Sequence, residues 1–238
     1  MMKDKRVAAV VFAPKVDGGL ARKNLRQIKE YSLVELAYQS ACNSGLVDRV
    51  VIASDDPDTI TFCMNKGMEI SPGLVFKHPE KMVGFDKCGL GAAQKLSDFD
   101  YIVVLDVTTP LRLTVDIDNV LALCESEGGK PVVTVSDTTL TVKDLHYVDG
   151  SRGLTPAAST IDNAGEQERR LYQINYSVLA SSKIYLRSAG SFFGSETKAY
   201  LIPNERSLAI QSKSDLAFAE TLIEKQFFYP PEFKTQPL

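Results

Sequence analysis

Val7-Ala8-Ala9-Val10-Val11-Phe12-Ala13 is an unbroken apolar run. A half-exposed strand alternates apolar and polar side chains, so a continuous run predicts a strand buried on both faces. Working outward, a loop follows from Pro14 to Asn24 with Gly18-Gly19 and the pair Arg22-Lys23. Ser32-x-x-Glu35 reads as a capping box, opening a helix with Leu33, Leu36, Ala37 and Ala41 on one face and ending at Gly45. Arg49–Ser54 is the next strand, and Asp56-Pro57 supplies a cap and a first-turn proline for a helix stopped at Gly67. The rhythm continues as a helix over Cys88–Leu96, a strand over Tyr101–Leu105, a Thr114-capped helix running to Glu127 and a strand over Pro131–Val135. Tyr176–Ala180 and Ala199–Ile202 read as further strands, and Ser212 as the cap of a last helix, Lys213–Gln226. This βαβα order predicts an α/β fold in three layers (αβα), with a mostly parallel sheet between helices. Ligands of such sheets bind beyond the carboxyl ends of the strands, so the loops after Ala13, Ser54, Leu105 and Val135 are expected to line one cleft.

The chain has 238 residues, 44% hydrophobic and 24% charged. That composition excludes a disordered chain, a collagen-like fibre and a disulfide-stapled miniprotein. One domain over 1–238 is expected, with residues 138–165, which break the rhythm, as a hairpin arm for dimerisation. The 27 basic against 30 acidic residues leave a net charge of −3 and no broad basic field for a nucleic acid polymer. Cys42, Cys63, Cys88 and Cys124 show no C-x-x-C spacing and are expected as free thiols in a reducing compartment. Nothing resembles a secretory leader or the ~20 apolar residues of a membrane span. A cytoplasmic protein without membrane contact is therefore expected.

Three strand ends carry candidate chemistry. In the loop Pro14–Asn24, glycines permit close backbone approach, and Lys15, Arg22 and Lys23 are phosphate-binding candidates. The loop is neither a Walker A nor a G-x-G-x-x-G sequence. In Leu105-Asp106-Val107-Thr108-Thr109-Pro110-Leu111-Arg112, Asp106 is either a metal ligand or a cap for nearby N–H groups. In Ser54-Asp55-Asp56, Asp56 reads as the helix cap and Asp55 as the freer carboxylate.

Together these segments resemble the acylneuraminate cytidylyltransferases, the family of the CMP-sialic acid synthetases, which is related to the CMP-Kdo synthetases. The resemblance rests on the Gly-containing loop ending Arg22-Lys23-Asn24, on Asp48–Asp56 and on Thr108-Thr109-Pro110-Leu111-Arg112. It implies a Rossmann-like nucleotidyltransferase fold, a homodimer, and Mg²⁺-assisted transfer of CMP from CTP to the anomeric hydroxyl of a nonulosonic acid, with release of pyrophosphate. Under it, Lys15, Gly19, Arg22, Lys23, Asn24, Ser54 and Asp55 bind the nucleotide, and Lys23, Asp106 and Arg112 are catalytic. Asp106, Thr108, Arg169, Arg170 and Asn175 face the sugar, and Asp106 with Asp55 rebuilds a metal site.

The departures from the family pattern are as informative. The loop's early arginine falls on Pro14 and its middle lysine on Gly18, and the arginine of R-P-x-x-L-A becomes His78. The family's sugar-facing glutamine becomes Asp106, a carboxylate that repels an anionic acceptor. Both aspartates of its C-terminal D-I-D metal motif are replaced, by Ala209 and Gln211, and its N-G pair reads Asn175-Tyr176. Three readings follow: an active cytidylyltransferase with an altered acceptor, a silent paralogue that binds nucleotide, sugar or a partner subunit, and a related enzyme using another nucleotide.

Overall fold

The apolar run forms β1 (Val7–Phe12), with every residue buried. The computed structural model describes residues 4–15, 19–75, 80–139, 146–148, 154–156 and 171–225. β1 pairs in parallel with β4 (Arg49–Ala53) on one side and β5 (Tyr101–Asp106) on the other. Beyond β5 lie β9 (Tyr172–Ser182), β6 (Val132–Asp137) and β10 (Lys198–Leu201), giving the order β10-β6-β9-β5-β1-β4. β9 is antiparallel to both neighbours, so the sheet is mixed with one reversed strand. Two hairpins stand apart from it, β2 (Gln27–Ile28) with β3 (Tyr31–Ser32), and β7 (His146–Val148) with β8 (Leu154–Pro156). The second lies within the expected 138–165 arm, most of which falls outside the described residues.

Strand side chains alternate between two cores. Val7, Ala9 and Val11 pack with helices α1 (Leu33–Cys42), α4 (Thr114–Ser126) and α6 (Lys213–Glu224). Ala8, Val10 and Phe12 pack with α3 (Lys81–Lys95) and with Leu186 of α5 (Lys183–Ala189) on the opposite face. The remaining helix, α2 (Pro57–Asn65), starts at the expected proline. The α1 capping box is complete, Ser32 Oγ accepting from the Glu35 N–H while Glu35 accepts from the Ser32 N–H. Among the described residues no helix is long and apolar enough to cross a membrane. All four cysteines lie in helices as free thiols, and burial pushes Cys63 and Cys124 up to about 12.

The structure differs from the sequence expectation in two helices. Thr114 is the first residue of α4 rather than its cap, because Asp116 reaches back to accept the Leu113 N–H at 2.8 Å. α3 begins at Lys81, seven positions before the expected Cys88. Its Gly84, Gly89 and Gly91 weaken the helical signal, but tertiary packing overrides propensity. Gly89 lets the helix backbone meet the fully buried Phe192, since a Cβ there would lie 2.3 Å from the ring. The Gly89→Ala variant is accordingly expected to lose about 1–3 kcal/mol, the overpacking cost outweighing any gain in helix propensity. Urea unfolding measures this, and an unchanged midpoint would show that α3 and Phe192 can separate freely.

Candidate functional site

Because β1 lies between β4 and β5, three loops leave adjacent strand ends side by side. The first wraps back through a tight 3-10 turn, Lys23–Leu25. Gly19 and Arg22 both sit at positive φ, 69° and 51°. Glycine adopts this conformation without steric cost, whereas Arg22 is strained by it. Asn24 pins the turn, its Nδ2 donating to the Ala13 carbonyl (3.0 Å), the Pro14 carbonyl (3.2 Å) and Thr59 Oγ1 (3.3 Å). Its buried Oδ1 has no hydrogen-bond partner among the described residues. Lys15, Arg22, Lys23, Asn24, Asp56 and Asp58 line a cleft of about 250 Å³. The exposed Arg22 is held by Asp58 at 3.0 Å.

Lys23 is the most buried of these cations, only 7% exposed. Its ammonium donates to Gln211 Oε1 at 2.7 Å. Burial pulls its pKa below the ordinary 10.5, Asp106 and Asp215 oppose the fall, and Lys81 adds to it. Lys23, Lys81, Asp106 and Asp215 therefore share one electrostatic neighbourhood. Asp215 itself is held below the usual carboxylate range, chiefly by the Gln211 N–H.

Asp106 ends β5 and is buried, and three donors converge on its carboxylate. The Thr108 N–H reaches Oδ1 at 2.8 Å, while Thr108 Oγ1 (2.8 Å) and Lys81 Nζ (2.5 Å) reach Oδ2. The reading of Asp106 as a cap for a backbone N–H is thus realised, and its other oxygen is engaged in an ion pair. Lys81 opens α3 and also lies 4.6 Å from the centroid of the Tyr176 ring and 5.8 Å from that of Phe85. Tyr176 stacks on Phe85 at 5.1 Å, with Phe193 edge-on at 6.0 Å. At φ 60° Tyr176 keeps the left-handed backbone that a glycine would favour, at a cost of about 1–2 kcal/mol. Lys81, Tyr176 and Phe85 carry no role in the sequence reading. The one available signal was the replacement of a glycine by Tyr176.

Several candidates occupy positions unlike those expected. Arg112, expected as a catalytic residue, is completely buried. Its Nε donates to the Ser177 carbonyl at 3.0 Å, and its Nη2 to the Asp106 carbonyl and to Thr109 Oγ1 (2.7 Å). Burial draws its pKa down to about 10, against the pull of Asp106 and Asp116, which leaves it charged at neutral pH. Thr108 spends its hydroxyl on Asp106. Asn175 accepts from Thr134 Oγ1 (2.6 Å) and the Ser177 N–H (3.1 Å), bracing β9 against β6. Ser54 accepts the Asp56 N–H at 3.2 Å. Gly18, His78, Arg169 and Arg170 lie outside the described residues. Among the described residues the end of β6 does not line that cleft; Asp137 instead borders a second cavity of about 440 Å³ with Leu201–Glu205.

The expected metal pair does not fit. Asp55 is exposed and accepts the Lys15 N–H at 2.6 Å. It follows β4, which β1 separates from β5, the strand that Asp106 ends. Asp106 is already ion-paired, and no group of three or more His, Cys, Asp or Glu side chains gathers among the described residues.

Replacing Arg112 by methionine would take the guanidinium's hydrogen bonds from the Ser177 and Asp106 carbonyls, leaving Asp106 only its bonds from Thr109. A loss of about 2–4 kcal/mol is expected by urea unfolding. An unshifted midpoint would show that the guanidinium does not tie the loop to β9.

Residues 18–138 match the family model described as cytidylyltransferase. Post-translational flagellin modification protein B of Campylobacter coli is 20% identical over 221 residues, covering 90% of this chain and 94% of that protein. The N-acylneuraminate cytidylyltransferase of Escherichia coli O18:K1:H7 is also 20% identical, over 93% of this chain but 53% of its own length. Among solved structures, a CMP:2-keto-3-deoxy-manno-octonic acid synthetase complexed with CTP superposes with a TM-score of 0.68 at 12% identity, covering 93% of this chain and 99% of that one. A 4-diphosphocytidyl-2C-methyl-D-erythritol synthase from Anaerococcus prevotii gives 0.62 at 14% identity, covering 94% and 98%. Such identities establish a shared fold, while the matched model spans just over half of the sequence. The chain belongs to the cytidylyltransferase family, as a divergent member.

Proposed function

We propose that this protein transfers CMP from CTP to the anomeric hydroxyl of a nonulosonic acid. The observation that carries the reading is the buried Lys23 ammonium, set on the β1 loop in the electrostatic reach of Asp106 at the neighbouring strand end. The hydroxyl oxygen attacks the α-phosphorus, the bond to the bridging oxygen breaks, pyrophosphate leaves, and the hydroxyl proton passes to solvent. This step needs positioning and charge neutralisation more than covalent participation by the protein. Lys23 and Lys15 meet the phosphates, Gly19 admits them close to the backbone, and the free Oδ1 of Asn24 offers the nucleotide an acceptor. Lys81 cancels the Asp106 charge that would otherwise repel an anionic sugar. The family match and the Campylobacter relative's place in flagellin modification support a CMP-sugar product. A homodimer follows the same resemblance.

A second reading, a subunit that binds nucleotide without transferring it, is favoured by the Gln211 contact that occupies Lys23. Pyrophosphate release with a panel of nonulosonic acids separates the two readings. Calorimetric titration comes first, with ATP as the control base. CTP is expected to bind selectively, and Lys23→Ala to weaken it by more than about tenfold, or 1.4 kcal/mol. Unchanged affinity in Lys23→Ala would remove this loop from the proposal.

Affinity also depends on the Lys23 proton. The group's folded pKa lies below 10.5, so binding should decline as pH rises through that lowered value, earlier than for an ordinary lysine. The Lys23→Arg variant should move the decline to higher pH. A limb that stays in place in Lys23→Arg would assign it to another group.

A further inference from the structure

The two side-chain oxygens best placed to receive a cation at this strand end are each already in contact with a lysine. Asp106 Oδ2 holds Lys81 Nζ at 2.5 Å, and Gln211 Oε1 holds Lys23 Nζ at 2.7 Å. We propose that Lys81 takes the seat of a divalent cation at Asp106, so that this chain meets a triphosphate with two tethered ammonium groups and holds no divalent ion of its own there. The inference rests on the reading above only for its choice of nucleotide.

Three features converge on Lys81. A carboxylate offers about four lone-pair positions, and Thr108 and Lys81 already use three on Asp106. A dication entering there would have to displace the ammonium or sit against it. Mg²⁺ also demands near-octahedral oxygen ligands, whereas the neighbouring donor is a neutral amide whose oxygen is already engaged by Lys23.

The second feature is the wall behind Lys81. An ammonium over an aromatic face is attracted by the ring quadrupole, within about 6 Å of the centroid. Tyr176 and Phe85 both meet that distance, at 4.6 and 5.8 Å, and the two rings stack on each other. The ammonium is therefore held between a carboxylate and two rings. The third feature is accessibility. The Lys81 side chain keeps 38% of its surface exposed while Asp106 keeps 4%. The lysine is thus the solvent-facing member of the pair, and the carboxylate behind it is covered.

The coupling between the lysines gives the arrangement a direction. Lys81 lowers the pKa of Lys23, while Asp106 raises it. Each lysine feels the other across the strand end, and a polyphosphate entering between them relieves that repulsion. A divalent ion brought in by the nucleotide would add to the repulsion.

The test is calorimetric, on the full chain. Nucleotide-free wild type is titrated with MnCl₂, then with CTP in EDTA and in saturating Mg²⁺, with inorganic tripolyphosphate in parallel. Wild type is expected to show no saturable Mn²⁺ binding and a CTP affinity that changes by less than about threefold with Mg²⁺. Lys81→Met should weaken CTP in EDTA by about tenfold or more, with partial recovery in Mg²⁺ once Asp106 is freed, and Lys81→Arg should retain most of the affinity. Because Lys81 is exposed at a helix start, circular dichroism should show both variants folded. Saturable Mn²⁺ binding that Asp106→Asn removes would overturn the proposal. So would wild-type CTP binding that requires Mg²⁺, or a Lys81→Met variant with unchanged affinity in EDTA. If tripolyphosphate binds in the expected Lys81-dependent, metal-independent way without any preference for CTP, the nucleotide reading fails and the lysine seat stands. If neither ligand binds, both fail.

Discussion

A guanidinium without exposed surface holds the two sides of the cleft together. Arg112 donates to the carbonyl of Asp106 on β5 and to that of Ser177 on β9, strands that run antiparallel. The loop from Asp106 to Arg112 is therefore tied to the strand that carries Asn175 and Tyr176. Without the tie, the Ser177 carbonyl would lose the guanidinium, the Asp106 carbonyl would keep only its bonds from Thr109, and the side-chain link from this loop to β9 would be gone. The charge on Arg112 is supported by carbonyl and hydroxyl oxygens at Nε and Nη2, with Asp106 and Asp116 supplying opposite charge nearby, while its Nη1 has no hydrogen-bond partner among the described residues. Thr108 adds a second tie, its carbonyl accepting the Ile210 N–H at 2.7 Å, which brings the Gln211 segment beside the same loop.

Once that frame is fixed, the site's chemistry follows from one unusual placement, a carboxylate at the end of a fully buried strand. Burying an unpaired carboxylate is costly, and the fold provides a lysine from the first residue of α3. That lysine needs a surface to rest on, and Tyr176 provides it from a left-handed backbone position that strains any residue but glycine. Strain at a cleft wall persists only where surrounding contacts over-determine it. Here the stack with Phe85, itself edge-on to Phe12 of β1, anchors the ring to the core.

Much of the fold was legible because its signals are local. The apolar run of β1, the Ser32 capping box and the Asp56-Pro57 helix start each have a mechanism that acts within a few residues. The early start of α3 was hidden because three glycines lower its helix propensity, and one of them, Gly89, serves a partner, Phe192, about a hundred positions away. The reversed direction of β9 was equally invisible, since an apolar strand reads the same in either sense. At the site, residue types were legible and their duties were not. Arg112 was expected to be catalytic and Thr108 to face the sugar, yet their side chains bond to carbonyl and hydroxyl oxygens and to the Asp106 carboxylate. Asn24 was expected to position nucleotide, and three of its contacts instead pin the loop. Lys81 stood one residue beyond Glu80 with no motif to single it out, because its meaning depends on Asp106, which is 25 positions away in sequence and 2.5 Å away in space.

The four charges at this strand end also balance. Lys81 offsets Asp106 directly, and Asp215 lies within electrostatic reach of Lys23, so two lysines and two aspartates sum to zero. An aspartate at position 211 would pair with Lys23 and tip that balance to negative. Gln211 accepts the same hydrogen bond without neutralising the ammonium. The lysine at Asp106, the Tyr176 ring that walls it and the neutral acceptor at Lys23 are therefore one electrostatic arrangement distributed over α3, β9 and the segment before α6, and it keeps a buried carboxylate matched.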